Sequence, residues 1–357
     1  MVLRNGVIKK DKRVAIAMSG GVDSSVAAAL LLEEGYEVIG LTMDICTGSA
    51  VAEAAKAAAN LGIRHEVVNL QGFFKEKVID YFMSEYLRGR TPNPCAVCNR
   101  HLKFGALLEK ASELGADMLA TGHYARVKYD EVSGRYLLYR AQDKAKDQSY
   151  FLYTMTQAQL ERIVFPLGEY TKTQVRQKAA ELGLVSADKP ESQEICFIPD
   201  NDYKKFLAAH LSGQGIKPGL FLNTKGEALG RHQGIPYYTV GQRKGLGIAL
   251  GYPAYVVALD VENNSVILGY DKDIYKKALV AEYNNFIAFA GLNAPLEVVA
   301  KIRYGAKPAL AVITPERAGR VRVDFDEPQR AITPGQVVTY YQGDLVIGGG
   351  LIAAVCF

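Results

Sequence analysis

At 357 residues, with 49% hydrophobic residues and a net charge of +4, the chain has room for two or three domains with sizeable cores. That charge gives no bulk polyanion-binding signal, although a basic face can exist locally. Five cysteines in so long a chain argue against a disulfide framework. No apolar run approaches a membrane span, and the basic Met1–Lys12 stretch lacks the apolar core of a signal sequence, so a cytoplasmic protein is expected.

In chain order, Val14–Ala17 reads as a buried strand, followed by a small-residue turn and a strong helical run, Val26–Leu32, closed by Gly35. Ile39–Met43 is a second strand, Ala50–Leu61 an Ala-rich helix, Arg64–Val68 a third strand and Phe73–Leu87 an amphipathic helix. This alternation predicts a parallel sheet with helices on both faces and ligands beyond the carboxyl ends of its strands. Gly89–Val97 interrupts it with two prolines, which fix an extended, rigid path. A helix is expected from near Asn99 to Leu114, then a short strand, Met118–Ala120, leading into Thr121-Gly122-His123-Tyr124.

Tyr124–Val127 and Arg135–Arg140 read as a hairpin, and Thr171–Leu182 as a helix with Thr171 as its cap. From Gly213 onward turn signals recur every several residues. The fold class expected is therefore α/β with three parts. Residues 1–208 form a parallel-sheet domain, 209–273 a small β-rich central module, and 274–357 a C-terminal β-barrel built from short strands between Gly and Pro turns.

Two stretches carry chemistry. Met18-Ser19-Gly20-Gly21-Val22-Asp23-Ser24-Ser25 joins a strand to a helix N-terminus, where free N–H groups and the helix dipole favour an anion. Gly20 and Gly21 let the backbone approach a phosphate, and the serines add hydroxyls. It is no Walker A loop, because Lys-Ser/Thr is missing, and its adjacent glycines exclude the dinucleotide fingerprint. The pattern resembles the PP-loop of ATP pyrophosphatases, which cleave ATP between the α and β phosphates and transfer AMP.

The second stretch is Cys95-x-x-Cys98. It can be half of a zinc site, a redox dithiol, or two members of a three-cysteine set with Cys196. Cys98 is expected just before a helix, where the dipole favours a thiolate. Cys356, in a terminal apolar run, reads as a small buried hydrophobe, and Cys46 stays open between that reading and a functional one.

Taken together, Ser19–Ser25, Gly89–Pro94 with Cys98-Asn99, Lys103-Phe104, Ala120–Tyr124, Lys146–Phe151, Ser192-Gln193-x-Ile195-Cys196-Phe197, Tyr238–Gly247, Pro334–Gln336 with Tyr340, and Gly348–Gly350 resemble the tRNA-specific 2-thiouridylases. The match runs through all three parts in order.

The resemblance implies an enzyme that adenylates C2 of the wobble uridine of certain tRNAs and replaces that oxygen with sulfur. It implies ATP at Ala17, Met18, Ser19, Gly20, Gly21, Val22, Asp23, Ser24, Met43 and Gly122, with Mg2+ at the departing pyrophosphate and Asp23 among the catalytic residues. Asn93, Pro94 and Cys95 fall where the target base is met. Lys146, Asp147, Gln148, Arg303 and Tyr304 fall at tRNA contacts, and His123 and Gln336 at positions linked with tRNA discrimination. Cys98 corresponds to the nucleophile and Cys196 to the cysteine that carries persulfide sulfur from a donor protein. Read without the resemblance, Arg303-Tyr304 is an ordinary strand pair, Lys144-Ala145-Lys146 a solvated turn, and His123 a satisfied polar residue at a strand end.

Two departures stand out. Position 95 is Cys where many members have Asp, and the segment from Asp44 to Ala55 is short. With a third thiol beside the target base, Cys95, Cys98 and Cys196 suit a [4Fe–4S] cluster with one open iron that delivers sulfide. The alternatives are a persulfide and disulfide route that assigns nothing to Cys95 or, in another class, a non-catalytic module that binds ATP and RNA.

Overall fold

The structure is a computed structural model; it describes residues 12–45, 50–184, 195–198, 202–211 and 216–356. The first part alternates strand and helix: β1 (Arg13–Ala17), α1 (Val22–Glu33), β2 (Glu37–Asp44), α2 (Ala50–Asn60) and β3 (Arg64–Asn69). Two helices with π-helical segments follow. The first, α3, runs through Gln71–Phe74, Lys75–Ile79 and Asp80–Leu87, and the second, α4, through Pro94–Cys98, Asn99–Ala106 and Leu107–Glu113. Then come β4 (Met118–Thr121), the hairpin β5 (Ala125–Asp130) and β6 (Arg135–Arg140), α5 (Gln157–Glu161), β7 (Ile163–Val164), α6 (Lys172–Glu181) and α7 (Tyr203–His210).

The parallel sheet has the order β3-β2-β1-β4-β7. Two-residue periodicity explains its layers. Val14 and Ile16 of β1 pack with Val26, Leu30 and Leu31 of α1 and with Val175 and Ala179 of α6. Ala15, one residue out of phase, faces Phe104, Leu107 and Leu108 of α4 on the other side. α1 is buried almost all round because it lies between the sheet and α6, which is why its Ala/Leu run carries no polar face. The strand β7 is only two residues long and left no periodicity to read. Among the described residues no helix is long and apolar enough to cross a membrane.

The central part pairs β8 (Gly219–Asn223), β9 (Ala228–His232), β10 (Tyr255–Asp260) and β11 (Ser265–Gly269) in the order β10-β11-β8-β9. Phe221, Val256, Val266 and Leu268 fill its own small core. The C-terminal part comprises β12 (Tyr275–Phe286), β13 (Leu296–Lys301), β14 (Ala309–Pro315), β15 (Val321–Arg330), β16 (Val337–Gln342) and β17 (Leu345–Cys356). The order β12-β15-β14-β13-β16-β17 closes through antiparallel pairing of β12 with β17, giving a six-stranded barrel. Alternate residues such as Val298, Ala300, Val321, Val323, Val338 and Tyr340 fill its interior.

The hairpin β5–β6 does not belong to the parallel sheet. It extends the barrel sheet beyond β17 through Leu345 and Tyr139. The Asp344 carboxylate ties it down with Arg126 at 2.9 Å and Lys144 at 2.6 Å. The chain after the hairpin docks on the barrel too. Tyr150 Oη donates to the Val337 carbonyl at 2.9 Å, and Thr339 Oγ1 donates to the Tyr150 carbonyl at 3.0 Å. One apolar cluster therefore runs from Ala15 and Leu41 of the first sheet to Val337, Tyr341 and Val346 of the barrel.

The barrel also holds the proline loop. Thr91 N donates to the Pro334 carbonyl at 2.9 Å, and Gln336 Nε2 donates to the carbonyls of Thr91 and Pro92 at 3.1 and 3.0 Å. Gly335 has φ +91°, and a Cβ there would lie 2.9 Å from Thr91 N and O. Gly335→Ala should thus lower stability by roughly 2–3 kcal/mol, combining backbone strain with a collision. Gly343→Ala meets nothing within 4 Å at φ +57° and carries only the strain, about 1 kcal/mol. Urea midpoints of the two variants test this, and equal shifts would remove the steric role given to Gly335.

Candidate functional site

The order of the first sheet reverses at β1, with β2 on one side and β4 on the other. A crevice opens at such a switch point beyond the strand ends. Ala17, Met43 and Thr121–Gly122 stand at or just past the carboxyl ends of β1, β2 and β4, so the expected nucleotide positions come to one edge. Gly20, at φ +74°, backs onto the start of α2: a Cβ would lie 2.5 Å from Glu53 Cβ. At Gly122 a Cβ would lie 2.9 Å from Ser24 N, so the turn after β4 packs directly on the start of α1.

Gly21 is the N-cap of α1 and no side chain caps that helix, which leaves its first-turn N–H groups for a ligand. The hydroxyls behave differently from the expectation that all three serve a ligand. Ser24 Oγ donates to the Gly21 carbonyl at 3.1 Å and accepts from Ser19 N at 3.2 Å, and Ser25 Oγ donates to the same carbonyl at 3.0 Å. They shape the turn, while Ser19 is exposed. Met18 and Val22 are buried anchors, Met18 accepting at its carbonyl from Thr42 Oγ1 at 3.0 Å.

Asp23, in the first turn of α1, accepts from Tyr124 Oη at 2.8 Å and is paired with Lys172 Nζ at 2.8 Å to each carboxylate oxygen. Lys172 is the first residue of α6 and only 9% exposed. Sequence reasoning missed it. The available signal was its place: a lysine at a helix start opposes the dipole, so helix stability does not explain it.

The proline loop leads into the cysteines. The expectation of a helix beginning at Asn99, with Cys98 just ahead of it, is corrected. Asn93 Oδ1 accepts from Ala96 N at 3.1 Å and caps the helix, and Pro94 occupies its first turn. Cys95 therefore sits in the first turn, where the dipole acts. Cys98 lies inside the helix, buried with Phe74, Phe82, Leu102 and Phe197.

Cys95 and Cys196 are exposed. Each reaches solvent at one side but lies in crowded surroundings, and desolvation pushes both thiols up. The Lys103 ammonium opposes that rise at both, and a charge on Cys196 adds to it at Cys95. Lys103 Nζ also lies 3.5 Å from His123 Nε2, and His123 Nδ1 lies 2.7 Å from Thr121 Oγ1. Cysteine loop and nucleotide edge are thus joined through Lys103, His123 and Thr121. His123 itself is buried between Phe104 and Phe165. Ser192, Gln193 and Cys46 lie outside the described residues, and Cys356 is half-buried at the end of β17. Among the described residues no three His, Cys, Asp or Glu side chains form a group that could hold a metal ion. The three cysteines do not fit a cluster in this arrangement.

The residues expected to meet tRNA divide by environment. Asp147 is buried and accepts from Ala141 N, Ser149 N, Ser149 Oγ and Arg140 Nε at 3.0–3.2 Å, so it holds its own loop. Gln148 bonds the backbone of Tyr124 through its main chain and side chain at 2.9 and 3.0 Å. Lys146 is half-buried. Arg303 donates to the Val240 carbonyl at 3.1 Å and to Thr333 Oγ1, joining the central part to the barrel. Tyr304 is exposed, its ring 4.8 Å from that of Phe151, with Lys301 Nζ 5.2 Å from its centre. An aromatic face flanked by a cation suits an unstacked base. Phe151 and Lys301 were not singled out from sequence as contacts; only the fold brings them to Tyr304.

Comparison with known proteins gives three family matches. Residues 12–200 match the tRNA methyl transferase HUP domain, 204–270 the tRNA methyl transferase PRC-barrel domain, and 276–352 the aminomethyltransferase beta-barrel domain. The chain is 55% identical to a tRNA-specific 2-thiouridylase from Heliobacterium modesticaldum, covering 95% of this chain and 92% of the relative. It is also 55% identical to one from Acetivibrio thermocellus, covering 96% and 99%. Among solved structures, a predicted subunit of tRNA methyltransferase from Methanocaldococcus jannaschii overlaps 48% of this chain and 76% of its own at 22% identity, with a TM-score of 0.34.

Burial and the Lys103 charge hold His123 well below its ordinary value of 6.5. The unfolded chain therefore takes up a proton that the folded chain refuses, and stability falls as pH drops below 6.5. His65, His101 and His232 are shifted the same way, so His123→Gln should flatten the fall without abolishing it. Denaturation midpoints between neutral and acid pH measure this; an unchanged slope would exclude His123 as a contributor. Iodoacetamide should alkylate Cys95 and Cys196 well before Cys98, at rates still rising above pH 9.0. Peptide mass spectrometry reads the order, and early labelling of Cys98 would contradict its burial.

Proposed function

The chain belongs to the tRNA-specific 2-thiouridylase family, and from that premise we propose that it converts the wobble uridine of tRNA to 2-thiouridine using ATP. The observation that carries this reading is the shared edge: the uncapped α1 turn and the Cys95–Cys98 helix are linked through Lys103, His123 and Thr121.

The nucleotide lies over Gly20–Ser24, with its phosphates on the first-turn N–H groups of α1. The uridine O2 attacks the α-phosphorus. The O2–P bond forms, the bond to the bridging oxygen breaks, pyrophosphate leaves with the electron pair, and the N3 proton is lost. Asp23, in the first turn of α1, would be the carboxylate to hold a Mg2+ accompanying the triphosphate, which would supply positive charge to the leaving group. A stacked anticodon base cannot enter such a site, so it is flipped toward the Asn93–Cys95 corner. Tyr304, Lys301 and the basic Lys146 loop bear the neighbouring nucleotides.

Sulfur then replaces the adenylated oxygen. In the persulfide route the terminal sulfur on Cys196 attacks C2 and AMP departs. The Cys98 thiolate next attacks Cys196 Sγ, freeing 2-thiouridine and leaving a Cys98–Cys196 disulfide for a thiol reductant. That Phe197 and Cys98 share one apolar cluster supports their approach. A donor protein recharges Cys196. The [4Fe–4S] alternative on Cys95, Cys98 and Cys196 would need these side chains regrouped.

Asp23→Ala and Ser19→Ala should abolish tRNA-dependent pyrophosphate release while tRNA still binds. Cys98→Ser and Cys196→Ser should keep that release and lose 2-thiouridine by mass spectrometry of digested tRNA. Release at the parent rate in Asp23→Ala would sink the assignment of the turn. Iron bound by anaerobically reconstituted protein, together with loss of thiolation in Cys95→Ser, would replace the persulfide route by the cluster route.

A further inference from the structure

The anion turn has a deficit that its own sequence does not repair. A departing pyrophosphate carries several negative charges, yet Met18–Ser25 contains no cation, and two of its three hydroxyls bond the Gly21 carbonyl. Asp23 adds a negative charge at the same helix start. Tertiary structure answers this from 149 residues away, by setting Lys172 Nζ 2.8 Å from both Asp23 oxygens.

We propose that Lys172 is the cation that binds the β and γ phosphates of ATP and follows them onto pyrophosphate, with Asp23 as its partner in the nucleotide-free enzyme. This deepens the adenylation reading above and rests on it.

Three observations support a ligand role over a purely structural ion pair. First, the start of α6 is already fixed without the Lys172 side chain. Thr171 and Gln174 form a complete capping box, and Lys172 N donates to Asp143 Oδ2 at 2.9 Å. Second, Asp23 keeps a hydrogen bond from Tyr124 Oη at 2.8 Å, so its carboxylate stays oriented when the lysine turns away. Third, a nearly buried lysine at a helix start is disfavoured both by desolvation and by the dipole, a placement that packing alone does not call for. Nucleotide entry then needs only an exchange of partners. Lys172 turns to phosphate oxygens, and Asp23, still held by Tyr124, would be left free to balance a Mg2+ accompanying ATP. The exchange moves side chains and leaves α1 and α6 in place.

The test uses the full-length enzyme with tRNA and compares wild type, Lys172→Gln, Lys172→Met and Lys172→Arg. The readouts are tRNA-dependent pyrophosphate release, product inhibition by pyrophosphate and by AMP, and melting temperature. Loss of the charge should lower kcat about 100-fold and weaken pyrophosphate inhibition about tenfold. AMP inhibition should stay within twofold, because AMP lacks the phosphates involved, and Lys172→Arg should recover part of kcat. Lys172→Gln or Lys172→Met with wild-type kcat and pyrophosphate inhibition overturns the proposal. So does equal weakening of AMP and pyrophosphate with a lower melting temperature, which marks a structural pair. Should one neutral variant not fold, the other and Lys172→Arg carry the same comparison. A wild type that releases no pyrophosphate overturns the adenylation reading as well, whereas an active Lys172→Gln overturns the lysine alone.

Discussion

The position of the cysteines depends on one backbone junction. Thr91 N bonds the Pro334 carbonyl, Gln336 bonds the next two carbonyls, and Gly335 lies flat against Thr91. Arg90 reaches the Ile352 carbonyl on the neighbouring strand at 3.3 Å. A proline-stiffened loop has few conformations of its own, and the barrel selects among them. The helix that starts at Pro94 inherits its direction from that junction, and with it the places of Cys95, Cys98 and Lys103. Gln336 thus reads as a positioning residue whose effect is felt at a site formed by other elements.

The two halves of the site differ in their electrostatics. At the nucleotide edge, negative charge on Asp23 is balanced by Lys172. At the cysteine edge, Lys103 acts on two crowded thiols. His123 between them is held neutral, so it transmits position and hydrogen bonding without adding charge. Each edge thus carries its own cation, Lys172 beside a carboxylate and Lys103 beside the thiols.

What the sequence made legible was what short-range chemistry determines. The Gly20-Gly21 turn, the helix after it, the cap at Thr171 and the alternation of the barrel strands are local patterns, and the structure keeps them. The helix start at Pro94, ahead of the expected Asn99, is also local: Asn93 caps the helix and Pro94 fills its first turn, a start that two neighbouring prolines disguise as loop. Lys172, Phe151 and Lys301 were beyond reach for another reason. Each matters only through a partner far away in the chain, and a single lysine or phenylalanine has no pattern of its own. Asp147 shows the converse. A charged residue in a polar, basic stretch looks solvent-facing, yet its four donors lie within eight residues and bury it.

The hairpin β5–β6 belongs to a sheet whose other strands are made later. During synthesis β6 emerges roughly 200 residues before β17, a gap of about 10–40 s at ~5–20 residues per second. Over that interval one edge of β6 has no strand beside it, and the apolar faces of Leu138, Tyr150 and Tyr153 wait for Val337, Tyr341 and Val346. Arg126, Lys128, Arg135 and Arg140, set against Asp130, leave the strands of the waiting hairpin with a net positive charge that discourages pairing with another nascent copy. The last step of assembly is then the arrival of β17, which closes the barrel and completes the early hairpin at once. The N-terminal part of the molecule thus reaches its final form only after the C-terminal part has been made.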